Sequence, residues 1–303
     1  MLASKAIEAF LLSYRGSKSP QTITWYERRL SALVLFLGNV EIAEISISDL
    51  RRWRAALFER RNRWEDHPSG RRPEPGGLSA HTLHGYVRAA RRFFRWLEDE
   101  ELLDHNPARR LELPRLPKGI VRGIAQGDLS LILEAAHQSG ARDLALAWFF
   151  YSTACRVAGA VNLRICDLHL DRCMAYVHEK GDKTRPVFML PAAVEAMQVW
   201  LEARPDSDDD HVFTGERGPL QGSGIYQVMK RLAKRSGVAR GWNPHNWRHR
   251  RIRDLQARGM PLGVLSQYAG HASVEVTADI YGTLPENELQ QLYFQYALPP
   301  LSK

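Results

Sequence analysis

The segment PHNWRHRRIRDLQARGMPLGVLSQYAGHASVEVTADIYG, residues 244–282, decides how this chain is read. His245 and Arg248 are three residues apart, so on a helix they point the same way. Gly270-His271 supplies a second histidine directly after a glycine, and Tyr281 follows ten residues later. The segment therefore gathers cations, proton carriers and a phenol able to act as a nucleophile. Phosphate chemistry needs those parts. The formal net charge of the chain is +8, and the largest source of phosphodiesters for a basic protein is nucleic acid.

Upstream of that segment, from residue 124, the pattern is mostly helical with one β element. Asp128 to about His137 is predicted to be a helix, with Leu129, Leu131, Ile132 and Leu133 apolar. Arg142 to Ser152 is strongly apolar and reads as a buried helix, with Arg156 just beyond it. Residues 173–190, CMAYVHEKGDKTRPVFML, are two short apolar runs around Glu179-Lys180-Gly181-Asp182-Lys183, which predicts a β-hairpin with Gly-Asp in the turn. Pro191 to Ala203 and Gly222 to Ser236 are further helices, and a terminal one is expected from Pro285 to about Tyr296.

Residues 1–112 read as a separate domain of four helices. The first covers residues 3–14, and the second begins at Pro20 with Ile23, Tyr26, Leu30 and Leu33 at helical spacing. The third runs from Ser46 to about Arg63 with Ser48 as the expected N-cap. DHPSGRRPEPGG, residues 66–77, is expected to be a mobile loop. The fourth helix starts at Ser79. Its Arg88, Arg91, Arg92 and Arg95 fall at i, i+3, i+4 and i+7, on one face. Four like charges repel with no acid between them, and a polyanion relieves that repulsion, so backbone phosphate contact is favoured over a merely solvated face. Residues 113–123, with two Pro and no periodicity, read as a linker, and 124–303 as the second domain.

Composition excludes other classes. The 303 residues, 44% hydrophobic and 25% charged, suit two globular domains. No apolar run reaches the ~20 residues of a membrane span, and the first helix lacks the pattern of a signal peptide. Cys155, Cys166 and Cys173 form no CxxC pair and read as reduced thiols of a cytoplasmic protein, with no zinc site. No acidic cluster placed to hold Mg²⁺ and no glycine-rich GxxxxGK[ST] loop is seen, so neither a metal, ATP nor any other cofactor is expected.

At this point four stretches resemble the tyrosine recombinases, the phage integrase and Xer-type group. YSTACRVAGAVNLRICDL resembles the first arginine box, HEKGDKTRPVFML the lysine hairpin, and residues 244–282 the long second box. LSAHTLHGYVRAARRFFRWLEDEELLDHNPARRL resembles the end of the helical core-binding domain. The resemblance implies a mainly α protein: an N-terminal four-helix, SAM-like core-binding domain and a mixed α/β catalytic domain with a small antiparallel sheet. It implies a site-specific recombinase working on double-stranded DNA through a 3′-phosphotyrosine intermediate, monomeric when free and tetrameric in the synaptic complex. Accessory proteins cannot be read from the sequence. Carried over, Arg156 and Arg248 would clamp the scissile phosphate, Lys180 would protonate the leaving oxygen, His245 would help proton transfer, His271 would bond a phosphate oxygen, and Tyr281 would be the nucleophile. Lys183 and Arg185 would touch backbone phosphates. The rival readings are a type IB topoisomerase and a non-catalytic DNA-binding relative.

The chemistry explains the residue types. Guanidinium forks meet two phosphate oxygens at once and stay charged at any cellular pH. A Tyr phenol, with a pKa of about 10, needs a base or a cationic surround. An ammonium such as that of Lys180 can donate to the departing 5′ alkoxide. Tyr293 and Tyr296 are rival phenols but sit in the terminal helix, and His249 reads as structural. Arg156, next to a buried helix, needs an anionic partner. One departure stands out. Where the family commonly has Glu or Asp, three residues after the first arginine, this chain has Gly159. The expectation is slower chemistry or a substitute acid from elsewhere in the fold.

Overall fold

Serines start three of the first four helices, because each accepts a hydrogen bond from an amide that the first turn leaves without a partner. Within a computed structural model that describes residues 1–63, 72–117, 123–179, 183–206, 209–270 and 273–281, the chain divides into units 1–118 and 119–303. The first unit holds α1 (Ala3–Ser13), α2 (Pro20–Leu37), α3 (Ile47–Glu59) and α4 (Ala80–Asp99). Ser19 caps α2 and Ser79 caps α4. The third helix differs from expectation: its cap is Ser46, not Ser48. Ser46 wins because Asp49 stands at N3 and accepts a hydrogen bond from the Ser46 amide at 2.9 Å, closing a capping box. The helix also stops at Glu59. Asn62–Arg63 (β1) then pairs antiparallel with Glu74–Pro75 (β2), so part of the expected loop is a short ribbon. Residues 64–71 lie outside the described residues.

The core of this unit contains an aromatic cluster among aliphatic side chains. Phe10 is fully buried, with Tyr26, Phe93 and Trp96 edge-on to it at centroid distances of 5.3, 5.6 and 5.4 Å. Edge-to-face pairs of this kind add about 0.5–1.5 kcal/mol beyond area burial.

The second unit places α5 (Gln126–His137), α6 (Ala141–Thr153) and α7 (Val157–Val161) before the sheet. The sheet is antiparallel, in the order β3 (Leu168–His169), β4 (Met174–Glu179), β5 (Lys183–Phe188). The two predicted strands therefore pair, extended by one short strand, while the expected Gly-Asp turn lies outside the described residues. Its register sets Ala175 opposite Val187, Val177 opposite Arg185 and Glu179 opposite Lys183. Then follow α8 (Pro191–Ala203), a short ribbon of β6 (Thr214–Gly215) with β7 (Gly218–Pro219), α9 (Gly222–Arg235), α10 (Pro244–Ala257), α11 (Leu262–Ala269) and α12 (Val274–Tyr281). Helix α6 is largely buried because α5, α8 and α10 pack around it. The terminal helix expected from Pro285 lies outside the described residues. Among those described, no helix is long and apolar enough to cross a membrane.

Candidate active site

Helix α6 ends on Ala154, a non-glycine residue in the left-handed region at φ 49°, ψ 27°. The chain turns sharply there, and Arg156 follows in extended conformation as the residue that begins α7. Such a backbone costs free energy and needs support from its surroundings. Arg248 provides some. It is 2% exposed, and it donates to the Ala154 carbonyl at 2.6 Å and to the Ala269 carbonyl at 2.5 Å. Arg156 donates to the very next carbonyl, Gly270, at 3.2 Å. The two arginines thus tie the end of α6 to the chain immediately before His271.

Gly270 is required where it stands. It is left-handed at φ 64°, and a Cβ there would meet the Arg185 side chain at 2.8 Å. Arg185 itself donates to the Tyr268 carbonyl at 2.7 Å and to Glu179 at 3.2 Å. Its side chain is only 13% exposed. Arg185 points inward because its strand position is in phase with buried Val187.

Glu179, which the sequence pattern alone does not single out, is the carboxylate that meets Arg156 and Arg185. One carboxylate oxygen accepts from the Arg156 backbone N–H at 3.3 Å and from Arg185, and the other accepts from the Arg156 guanidinium. A signal for it exists. Ala175, Val177 and Glu179 share one strand face, and the first two are fully buried. An acid in phase with a buried face needs a cation. Burial raises the Glu179 pKa, but Arg185 and then Arg156 more than offset it, and the carboxyl is held below the usual glutamate range.

His245 stands on the first turn of α10, which Asn243 caps by accepting from the Asn246 amide at 3.2 Å. Its ring lies edge-on to His249, with centroids 4.3 Å apart. His249 is buried. Partial desolvation, then the positive charges of Arg248 and Arg156, lower the His245 pKa below its ordinary value. That common electrostatic influence, with the adjacent carbonyls of residues 269 and 270, brings Arg156, His245 and Arg248 into one locality. Lys180 and His271 lie outside the described residues. Lys183 begins β5 and Tyr281 closes α12, but their side chains are outside the description as well.

The α4 arginines are found in the first unit. Arg88, Arg91, Arg92 and Arg95 line a groove of about 610 Å³ together with Glu98 and Asp99. The face is less purely cationic than the spacing suggests, since Arg95 lies 3.9 Å from Asp99. Arg88 also stacks over Trp25 at 4.9 Å, and Arg92 donates to the Tyr14 hydroxyl at 3.0 Å. Elsewhere Asp209, Asp210 and His211 have side chains of metal-ligating type, with candidate atoms within 4.8 Å of one another. Asp209 accepts from the His211 amide at 2.8 Å and ring at 2.7 Å, and Asp210 pairs with Arg164 at 2.5 Å.

The sequence pattern described as the phage integrase family matches residues 123–288, which hold Arg156, Glu179, Arg185, His245 and Arg248. This chain belongs to that family. The integrase is 28% identical over 301 residues to tyrosine recombinase XerD of Listeria monocytogenes, covering 95% of each chain. It is 29% identical over 300 residues to tyrosine recombinase XerC of Chromohalobacter salexigens, covering 96% of this chain and 94% of the other. The Tn1549 transposon integrase, solved with transposon right end DNA, has the same fold: TM-score 0.73 at 18% identity, over 98% of this chain and 100% of that one. The integrase is accordingly a tyrosine recombinase, an enzyme of site-specific DNA breakage and rejoining.

Proposed function

We propose that the integrase cuts duplex DNA by attack of Tyr281 on a phosphodiester, forming a 3′-phosphotyrosine bond and releasing a 5′ hydroxyl that reverses the step on a second strand. Arg156 and Arg248 stabilise the charge that spreads over the non-bridging oxygens. His245, neutral at pH 7 because its pKa is lowered, accepts a proton. Lys180, next in sequence to Glu179 at the strand end, protonates the leaving oxygen, and His271 bonds a phosphate oxygen. The covalent bond conserves the energy of the phosphodiester, so the reaction needs neither ATP nor a metal. The observation that carries this reading is the pairing of Arg156 with the Gly270 carbonyl and of Arg248 with that of Ala269, directly before His271.

The first unit supplies backbone phosphate contacts from Arg88, Arg91, Arg92 and Arg95. Residues 1–112 and 124–303, joined by 113–123, both bind duplex DNA, and Lys183 adds a phosphate contact. Free monomers assemble as four protomers on two sites in the cytoplasm, using the helix expected from Pro285. The recombinases among the relatives support strand exchange over simple relaxation of supercoils.

A nicked suicide DNA substrate, which traps the covalent adduct, tests the assignment. Tyr281→Phe is expected to abolish the adduct while DNA affinity stays within about twofold, because one hydroxyl does not govern the phosphate contacts that dominate binding. An adduct formed by that variant at the wild-type rate removes Tyr281 as nucleophile.

A further inference from the structure

The family's usual acid is missing at Gly159, where a side chain would sit tightly against β4. A Cβ on Gly159 would come within 3.2 Å of the Val177 Cβ, so β4 lies directly over this turn of α7. Two residues further along the same face of β4 is Glu179, whose carboxylate reaches back to Arg156. We infer that Glu179 stands in for the missing acid at 159 and is the carboxylate that positions Arg156 for the scissile phosphate. This rests on the reading of Arg156 as a phosphate ligand.

Three observations carry it. First, Glu179 grips Arg156 twice, at the backbone N–H and at the guanidinium, so it fixes both the chain and the side chain. An ion pair serving stability alone needs only the second. Secondly, the exposures differ in the sense that positioning requires. Glu179 is 6% exposed, whereas Arg156 is 41% exposed. The anion is the buried anchor, and the cation keeps an open side for an incoming phosphate. Thirdly, Arg156, Arg185 and Arg248 crowd one locality, where their like charges repel. A buried carboxylate between Arg156 and Arg185 offsets that repulsion, which an acid at 159 would otherwise do. Glu179 also directly precedes Lys180, so the same contact secures the strand end from which the proposed general acid springs.

The test is single-turnover adduct formation on nicked suicide DNA at saturating DNA, with DNA affinity and melting temperature measured alongside. Glu179→Gln keeps the shape and removes the charge. It is expected to slow adduct formation about 10- to 100-fold, the usual effect of removing a group that orients a reacting one, with affinity within about twofold. Glu179→Asp is expected to lose less but still about three- to tenfold, since it keeps the charge while its shorter arm cannot hold both Arg156 contacts. In an Arg156→Lys background, Glu179→Gln is expected to add less than about threefold, because the two residues act through one contact. Adduct formation by Glu179→Gln at the wild-type rate overturns the inference, as does the same slowing in both backgrounds. If Glu179→Gln does not fold, Glu179→Asp carries the test, and a wild-type rate there overturns the inference. Should Arg156→Lys itself react at the wild-type rate, Arg156 is not the phosphate ligand, and that reading falls first.

Discussion

Two sets of arginines in this integrase share a chemistry and differ in use. Those of α4 lie on a surface groove, with Arg88, Arg92 and Arg95 reachable by solvent. Their partners are local to the first unit: an aromatic face for Arg88, a hydroxyl for Arg92, a carboxylate one turn away for Arg95. Arg248 and Arg185 in the second unit are turned inward, and their partners are backbone carbonyls and the buried Glu179. An exposed guanidinium is solvated whatever its neighbours do, so helix spacing alone places it. A buried one must have hydrogen-bond acceptors brought to it by the fold. The same residue type is therefore replaceable in one region and structural in the other.

The largest expected effect comes from Arg248→Ala. Two carbonyls are deprived of a charged donor, and a buried cavity opens beside the strained end of α6. The loss expected in urea unfolding is about 3 kcal/mol or more. A change below about 0.5 kcal/mol breaks the contrast between the two sets. Gly270→Ala should cost less, about 1–2 kcal/mol for the left-handed backbone, with some addition for moving Arg185. A melting temperature equal to wild type means that Arg185 is not packed against this glycine in solution. The smallest effect on stability belongs to Arg91→Ala with Arg95→Ala. Folding should change by less than about 0.5 kcal/mol, while DNA affinity falls and its dependence on log salt becomes shallower by roughly 0.9 for each phosphate that is no longer neutralised. An unchanged salt slope removes these arginines from the proposed DNA surface.

Much of the fold is legible in the sequence. Serine caps, apolar periodicity and the Gly-Asp hairpin turn are local signals, and they locate α1 to α4, α6, α8, α9 and the β4–β5 pair to within a few residues. The departures are local too. Ser46 and Ser48 both have a capping side chain, but Asp49 sits three residues after Ser46, and that spacing favours Ser46. Cations beside a hairpin turn are usually exposed, so the pattern alone suggests an exposed Arg185. Its phase with Val187 turns it inward instead.

By itself the sequence determined the kinds of chemistry present: cations, histidines and a phenol in an order that resembles one family, carried on helices whose boundaries are encoded within a few residues. Only the tertiary structure decided which cation meets which acceptor. Arg248 finds Ala154, 94 positions away in the chain, and Arg156 finds Glu179, 23 positions away, across the turn over Gly159. Hydrogen bonds weaken steeply with small changes in distance and angle, and helix or strand periodicity fixes only the side a residue faces. How close two distant segments come is set by the packing between them.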